Sequence, residues 1–405
     1  MTTQSRRPRV LYFTKVLPYP PAVAGDAVYS RGLIETWATF ADVTVVCADG
    51  GARVEDAADG VTWVVTTAQR RGRAASVLST FPLIAWKGAR RDYRREAKRH
   101  LRSDTWDAVV LDNIGSAHLL RDALRHRRRH QDTTVLYTSH EWEYPTRAGK
   151  YQGYDMSLPK RVMARWDLAK VKYWENRLIR RTDVVTVINE ADLRPFRAIA
   201  PQRKYLVLSP GYDGPMTPRR TIDATTPRRI ALLGGRRSEQ KQQVLLDWFS
   251  VAYERLDKHG IEMAVVGDVP ESLKRRVVTE YPNVDVVGFV DDLESVISGF
   301  RAGLIVDTVG SGFKLRLLSQ IFQRLPIVGL ESAISGLPTP PGDGYLAAES
   351  LDALATLVCA VIDDPALLDA VQNRAFDDCR SAFSWDDRAR SLTAALDPSD
   401  ETALS

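Results

Sequence analysis

A chain of 405 residues is too long for one ordinary hydrophobic core and predicts two domains of about 150–200 residues each. Its 44% hydrophobic and 26% charged content is typical of a soluble globular protein, and no apolar run approaches the roughly 20 residues of a membrane span. The net charge of +5 is uneven, because residues 1–215 carry 36 Lys and Arg against 23 Asp and Glu, whereas residues 216–405 carry 20 against 28. The basic half is therefore expected to face an anionic partner.

The cysteines and the N-terminal segment indicate the cellular location of the protein. Cys47, Cys359 and Cys379 have neither metal-binding nor redox spacing, and the first 21 residues lack the apolar run of a signal peptide. We therefore expect a reducing, cytoplasmic location.

The first half of the chain alternates short apolar strands with helices. The predicted strands are 9–14, 42–48, 61–66, 108–112, 134–138, 183–188 and 205–208, and the predicted helices are 27–38, 83–101 and 160–181. This alternation favours an α/β domain with a doubly wound, mostly parallel sheet.

Residues 214–227 interrupt the alternation with three prolines and several threonines, which predicts a linker. The alternation then restarts. Strands are predicted at 229–233, 262–266, 284–287, 304–306 and 327–329, and helices at 243–259, 271–281, 314–323, 348–363 and 385–396. A second doubly wound domain follows, and two such sheets facing one another would leave a cleft at the carboxyl ends of their strands.

The segment after the apolar run 302–307, which contains the predicted strand 304–306, carries the strongest chemical signal. Gly310 and Gly312 leave backbone N–H groups free to converge, and Lys314 and Arg316 stand at the start of the next helix. A helix N-terminus with a nearby cation is a ready anion site, so the pattern indicates a phosphate-bearing ligand. A plain strand-to-helix connection, in which glycines are common, is the alternative.

Several loose motifs in order resemble the GT-B glycosyltransferases, most of all retaining glycosyltransferase family 4, the glycosyl transferases group 1. The resemblance covers nearly the whole chain. Its motifs are the proline-rich loop 18–31, Ser139-His140-Glu141, the segment 175–192, the turn 210–213, Gly235-Arg236 with Lys241, 266–268, 287–293, the glycine turn with Lys314, and 325–329.

This resemblance implies two Rossmann-like domains facing across a cleft. Residues 1–214 would bind the acceptor, 215–227 would be the linker, 228–380 would bind a nucleotide-sugar, and 381–405 would form a helix crossing back to the first domain. The implied catalytic residues are His140, Arg236 and Lys241. The implied donor-binding residues are Gly25, Asp26, Gly235, Arg236, Lys241, Val290, Gly310, Ser311, Gly312, Phe313, Lys314 and Ser319.

Two positions depart from the family pattern. The family usually has a Gly-Gly pair where this chain has Gly25-Asp26, and Asp26 is expected to cap the following helix or to point to the acceptor. The family usually has a ribose-binding glutamate where this chain has Ser319. The second departure bears directly on donor binding.

The function that follows from the resemblance is transfer of a sugar from a nucleotide-sugar to a glycan, a lipid-linked or a natural-product acceptor. Retention of configuration is implied by the family, and the absence of a suitably placed Asp-x-Asp motif predicts a reaction without metal or cofactor. Two alternatives remain open: a catalytically silent subunit that binds a partner, which Ser319 favours, and a nucleotide-sugar epimerase, for which no convincing carboxylate pair is found.

A basic segment suggests a further partner. Cations surround an apolar stripe between residues 83 and 102, with Lys87, Arg90, Arg91, Arg94, Arg95, Lys98, Arg99 and Arg102 around Leu83, Trp86, Tyr93, Ala97 and Leu101. Such a helix can lie on an anionic membrane surface, which would make the protein peripheral on the inner face of a membrane. Alternatively the stripe packs on the sheet and the cations are solvated. No nucleic-acid recognition module is found, so nucleic acid is not expected as a partner.

Overall fold

The computed structural model describes residues 6–22, 24–67, 72, 74–152, 156–308 and 312–396. These residues form two compact units, which divide between Gly211 and Tyr212 and again between Phe383 and Ser384. The first unit is therefore built from two separate stretches of chain, and the second from one. No helix in the described part of the chain is both long and apolar enough to cross a membrane.

The first unit contains a seven-stranded parallel sheet in the order β3-β2-β1-β4-β5-β6-β7. Its strands are β1 (Arg9–Phe13), β2 (Asp42–Ala48), β3 (Val61–Thr66), β4 (Ala108–Asp112), β5 (Thr134–Thr138), β6 (Val184–Val187) and β7 (Lys204–Val207). The central strands are buried almost throughout, because helices cover both faces of a parallel sheet.

The helices of this unit connect the strands, with one exception from the end of the chain. They are α1 (Gly25–Trp37), α2 (Leu83–Gly88), α3 (Arg91–Ser103), α4 (Leu120–Arg129), α5 (Glu143–Gln152), α6 (Leu158–Arg181), α7 (Leu193–Ile199) and, from the second stretch, α14 (Trp385–Ala394). The indole of Trp385 lies against Gly32 and Gly211, where a Cβ atom would come within 2.3 Å of the ring.

The helix predicted at 83–101 is two helices. Ala89 has a non-helical ψ of 49° and Arg90 is extended, so the chain turns between α2 and α3. The apolar stripe of α3 packs inward: Tyr93, Ala97 and Leu101 are buried, and the Tyr93 hydroxyl donates to the carbonyl of Thr14 at 2.9 Å. The outward face of α3 therefore presents charge without an apolar stripe.

The second unit contains a six-stranded parallel sheet in the order β10-β9-β8-β11-β12-β13. Its strands are β8 (Arg229–Leu233), β9 (Glu262–Val266), β10 (Val284–Gly288), β11 (Ala302–Ile305), β12 (Ile327–Leu330) and β13 (Leu346–Ala348). Its helices are α8 (Glu239–Lys258), α9 (Glu271–Glu280), α10 (Glu294–Ile297), α11 (Leu315–Phe322), α12 (Leu351–Val361) and α13 (Pro365–Cys379).

Several features of the second unit differ from the predicted elements. No helix was predicted where α10 and α13 lie. The helix predicted at 348–363 is shorter, because residues 346–348 form β13 and α12 begins only at Leu351. The segment predicted as a linker carries no helix or strand, but Ile222 is buried in the core of this unit and Arg220 donates to the carbonyl of Arg324 at 2.8 Å.

The strand orders locate the functional edge of each sheet. In the first unit the chain moves from β1 towards β3 and then returns to β4 on the other side of β1; in the second it moves from β8 towards β10 and then returns to β11. Ligands of doubly wound sheets bind at the carboxyl ends of the strands beside such a reversal. The loops after β1 and β4, and after β8 and β11, are therefore the places to look for a site.

Candidate functional site

Two glycine turns meet at the carboxyl edge of the second unit. Gly234 after β8 has a φ of 106° and Gly267 after β9 has a φ of 138°, a region that side chains disfavour. A Cβ atom on Gly267 would lie 2.6 Å from the carbonyl carbon of Gly234. The backbone N–H of Arg236 then donates to the carbonyl of Asp268 at 2.7 Å, so the two turns fix where the Arg236 side chain begins.

Arg236 is a buried cation. Its residue is only 5% exposed, and its Nη1 donates to the carbonyl of Gly234 at 2.8 Å. Burial lowers the pKa of the Arg236 guanidinium to about 10, which leaves it charged at neutral pH. Within the described part of the chain no carboxylate lies within ion-pair distance of it. A buried charge without a counter-ion is costly, so this position is suited to receiving an anion.

Two further cations lie close to Arg236. Arg316, in the first turn of α11, pairs with Asp307; burial and then the nearby Arg236 charge lower the pKa of Arg316 to about 9. Burial first, and then the charges of Arg316 and Arg236, lower the pKa of Lys241. Ser238 caps α8 by accepting from the Lys241 N–H at 3.3 Å, which sets Lys241 in the first turn. The three like charges repel one another, and a bound anion would relieve that repulsion.

The predicted glycine turn is partly described. Gly310 and Ser311 lie outside the described residues. Lys314 occupies the position before α11, with its Nζ donating to the carbonyl of Gly312 at 2.9 Å, and the Phe313 ring lies 5.6 Å from that of Phe383. This segment follows β11, beside the loop that carries Arg236.

The remaining donor-binding predictions in this unit lie around that loop. Gly235 precedes Arg236 and approaches Asp268, and Val290, after β10, packs against the apolar cluster that includes Leu233 and Val266. Ser319 is half-buried on α11. Burial raises the pKa of the nearby Tyr212 phenol, while hydrogen bonds with Gln323 and Ser319 oppose that rise.

The first unit has its own polar cluster at the corresponding edge. Asp112, the last residue of β4, is buried and accepts three hydrogen bonds. His140 Nε2 donates to Oδ1 at 2.7 Å, and the hydroxyls of Thr14 and Ser30 donate to Oδ2 at 2.7 and 2.8 Å. The Tyr29 ring packs edge-on against the imidazole at 5.0 Å.

Electrostatics keep the Asp112–His140 pair ionised. Burial alone would lower the pKa of His140 and raise that of Asp112, but their attraction and hydrogen bond outweigh burial, so the pKa of His140 is raised and that of Asp112 is lowered. Within the described residues His140 Nδ1 is buried without a hydrogen-bond partner. Because Asp112 holds Nε2, Nδ1 is the ring atom left for a ligand.

Gly25 and Asp26 begin α1 beside this cluster. The residue before α1 is Ala24, so Asp26 is not the helix cap but lies inside the first turn. The alternative, that Asp26 points to the acceptor, stays a prediction. The Asp26 carboxylate lies 3.7 Å from Lys15 Nζ, and its charge contributes to the raised pKa of His140.

The structure thus gathers the predicted residues into two groups, one in each unit. Arg236, Lys241 and residues 312–314 belong to the second unit, and Gly25, Asp26 and His140 to the first. Sequence reasoning missed Asp112, which only ended a predicted strand, and noted Arg316 without assigning it to the site. In the described residues, no group of three or more His, Cys, Asp or Glu could hold a metal ion.

Comparison with known proteins gives the class. Residues 227–364 match the family model described as glycosyl transferases group 1. By sequence similarity, no curated protein is a significant match.

Several solved structures share the fold over nearly the whole chain. HepE from Anabaena, in complex with UDP and glucose, is 12% identical and covers 96% of this chain and 99% of its own, with a TM-score of 0.61. Sucrose-phosphate synthase from Thermosynechococcus elongatus is 16% identical over 96% and 98% of the two chains, with a TM-score of 0.65. WaaG, a glycosyltransferase involved in lipopolysaccharide biosynthesis, is 14% identical over 95% and 99%, with a TM-score of 0.62.

These matches confirm the predicted α/β class with two Rossmann-like domains of the GT-B type. The protein is a glycosyltransferase whose second unit carries the glycosyl transferases group 1 domain. Its assignment to family 4 stays a prediction.

Proposed function

We propose that the protein transfers a sugar from a nucleotide-sugar donor to an acceptor, as a retaining, metal-independent enzyme of glycosyltransferase family 4. The acceptor would be a glycan, a lipid-linked molecule or a natural product, and the reaction would take place in the cytoplasm. The solved structures of HepE with UDP and with UDP-glucose support a nucleotide-sugar donor.

The buried guanidinium of Arg236 carries this proposal. It lacks a carboxylate partner in the described part of the chain and lies beside Lys241 and Arg316, whose charges repel it. The diphosphate of a nucleotide-sugar would supply the missing counter-ion through strong, charge-assisted hydrogen bonds.

The same cations would assist the chemistry. When the bond between sugar and diphosphate breaks, negative charge grows on the leaving phosphate, and prearranged cations in a buried site stabilise it. This is the part that a divalent ion plays in other phosphate sites, so we propose that the reaction needs no metal. His140 would contact the sugar or hold a proton at Nδ1, with Asp112 fixing the ring.

A silent binding subunit is the second candidate, and Ser319 favours it. A short hydroxyl in place of the family's glutamate offers one weak hydrogen bond to a ribose where a carboxylate would offer two. Retention of the buried Arg236 close to Lys241 and Arg316 favours a working donor site, since an unused site would keep the electrostatic cost of these like charges without benefit.

Calorimetric titration with UDP, GDP, TDP, ADP and CMP, and with their common sugars, tests the proposal. We expect one nucleotide to bind selectively and Arg236→Ala to weaken it by about 10- to 100-fold, the loss of one or two charge-assisted hydrogen bonds. Without ligand, the thermal midpoint of Arg236→Ala should stay equal or rise, because the variant removes an unpaired buried charge.

Arg237→Ala is the matched control. Arg237 is adjacent in sequence, its side chain is 83% exposed, and its guanidinium pairs with Asp268 at the surface. Equal losses of nucleotide affinity in the two variants, or binding of none of the nucleotides, would reject the proposed donor site. Turnover that a chelator abolishes would reject the metal-independent reaction.

A further inference from the structure

Large apolar side chains are exposed in one region of the first unit. Leu158, Val162 and Trp166 on α6 are 75%, 66% and 53% exposed, and Leu78 in the loop before α2 is 93% exposed. Met163 and Tyr173 of α6 are exposed as well, and Val54 is the one other large apolar residue exposed among the described residues of this unit. A contiguous apolar patch of this kind marks an interaction surface.

The pattern along α6 makes this patch a stripe. Leu158, Val162 and Trp166 are four residues apart and so share one face of the helix. The helix is buried only further along, from Asp167 and Val171 onward. The stripe therefore lies on the first turns of α6, where none of residues 158–166 is buried, and the later turns hold the helix in the fold.

Leu78 is tied to this stripe by hydrogen bonds of its loop. Trp166 Nε1 donates to the carbonyl of Val77 at 3.1 Å, and Lys170 Nζ donates to the carbonyl of Ser76 at 2.9 Å. Leu78 thus stands next to Trp166 and extends the apolar surface beyond the helix.

The charged residues within 158–166 are all positive. Residues 158–166 contain Lys160, Arg161 and Arg165, all exposed, and no acidic residue. Arg161 and Arg165 follow the helical repeat along one edge of the stripe. The same unit also has a surface cavity of about 580 Å³ lined by Ala89 and six cations of α3: Arg91, Arg94, Arg95, Lys98, Arg99 and Arg102.

We propose that the α6 stripe, with Leu78, docks on an anionic lipid bilayer. Apolar side chains flanked by Arg and Lys are what an interfacial helix needs, since the apolar groups enter the boundary of the acyl chains and the cations stay with the headgroups. The cationic cavity on α3 adds attraction for the same surface, whereas the apolar stripe of α3 is buried and cannot insert.

This surface would also orient the enzyme. In a doubly wound sheet the helix before a strand starts at the carboxyl edge of the sheet, so the first turns of α6 lie on the same side of the unit as Asp112 and His140. A bilayer docked there would bring a membrane-borne acceptor to that edge. The inference goes beyond the proposed donor site and does not depend on it.

Co-sedimentation of the full chain with vesicles tests the proposal. The vesicles are phosphatidylcholine alone, or phosphatidylcholine mixed with phosphatidylglycerol. We expect binding to the mixed vesicles that falls about tenfold in Leu158→Ser/Val162→Ser, where two exposed apolar groups are lost, and about fivefold for each cation removed in Arg161→Gln/Arg165→Gln. Val251→Ser/Val278→Ser, which changes two exposed valines on helices of the second unit, should bind as the wild type does.

Two outcomes would overturn the proposal. One is binding to mixed vesicles that the stripe variants leave unchanged. The other is no vesicle binding together with a wild-type dimer in sedimentation that Leu158→Ser/Val162→Ser dissociates, which would make the stripe an interface between two copies. Nucleotide titration of the same variants separates this test from that of the donor site, because neither change touches Arg236 or Lys241.

Discussion

Asp112 shows how one carboxylate can set the chemistry of a neighbouring residue. Its two oxygens accept from His140, Thr14 and Ser30, so its charge is stabilised even though it is fully buried. In return it holds the imidazole by Nε2 and raises its pKa. Asp112 is a positioning residue, since the atom that it leaves available is Nδ1 of its partner.

We expect Asp112→Asn to lower the pKa of His140 below its ordinary value of 6.5, because burial would then be opposed only by the smaller contributions of Asp26 and Glu143. A raised histidine pKa contributes stability that is full below 6.5 and is lost as the pH rises through the raised value. The wild type should therefore lose stability over that range while the variant should not. NMR titration of His140 and thermal midpoints against pH provide the measurement. An unchanged His140 pKa in the variant would show that Asp112 does not control the ring.

The sequence predicted some members of each cluster and could not predict others. Arg236 and Lys241 were predicted because a short motif holds both within one helix start. Asp112 and His140 lie 28 positions apart and meet only because β4 and β5 are neighbours in the sheet. A buried ion pair between the ends of two strands depends on the order of the strands in the sheet, which the spacing of residues along the sequence does not give.

At the scale of elements, the loops after β8 and β9 act as one piece. The two glycine turns touch backbone to backbone, and three hydrogen bonds tie them to neighbouring strand ends: Gly234 to Val266, Arg236 to Asp268, and Gly267 to Gly288. This contact determines the direction in which the Arg236 side chain leaves the sheet.

Gly267→Ala should therefore cost about 3 kcal/mol or more of stability, because both the φ of 138° and the close approach of Gly234 exclude a Cβ atom. It should also weaken nucleotide binding by displacing Arg236. Gly288→Ala is the control: its φ is 84°, but a Cβ atom there would meet nothing within 4 Å, so we expect a loss of about 1–2 kcal/mol. Chemical denaturation measures both. Equal losses would mean that the contact between the turns has no energetic weight.

Periodicity predicted most elements and failed where the chain turns without a strong signal. Residues 83–101 keep a helical apolar pattern across Ala89 and Arg90, yet the backbone there is not helical. Gly88, which directly precedes these two residues, is the one local signal that the helix ends there, and the apolar periodicity alone does not include it. The strand order and the alternation, by contrast, follow from short apolar runs that only a buried parallel sheet accommodates.

At the scale of the whole molecule, the first unit is completed by α14. Trp385 fills a notch formed by Gly32 and Gly211, Trp37 Nε1 donates to the hydroxyl of Thr393 at 3.0 Å, and Arg388 donates to the carbonyl of Ser209 at 2.9 Å. The last described helix is thus part of the packing of this unit.

Trp385→Ala should destabilise the first unit by about 3–5 kcal/mol, the usual cost of emptying a buried tryptophan site. Trp166→Ala removes a half-exposed tryptophan from α6 together with its hydrogen bond to the Val77 carbonyl, and should cost only about 0.5–1.5 kcal/mol. Urea unfolding of both variants provides the comparison. A small effect of Trp385→Ala would show that α14 is dispensable for the fold of this unit.

Because the first unit is built from two separate stretches of chain, it cannot finish folding on the ribosome until the second unit has been synthesised. Residues 212–383 hold every strand and helix of the second unit, and they are synthesised before Ser384 appears. Synthesis proceeds at about 5–20 residues per second, so Trp385 is added roughly 10–35 s after Gly211. The notch beside Gly32 is unfilled during that time. During that interval the second unit can mature while the first still exposes apolar surface. We therefore expect the nascent first unit to be open to chaperone binding until α14 has been synthesised.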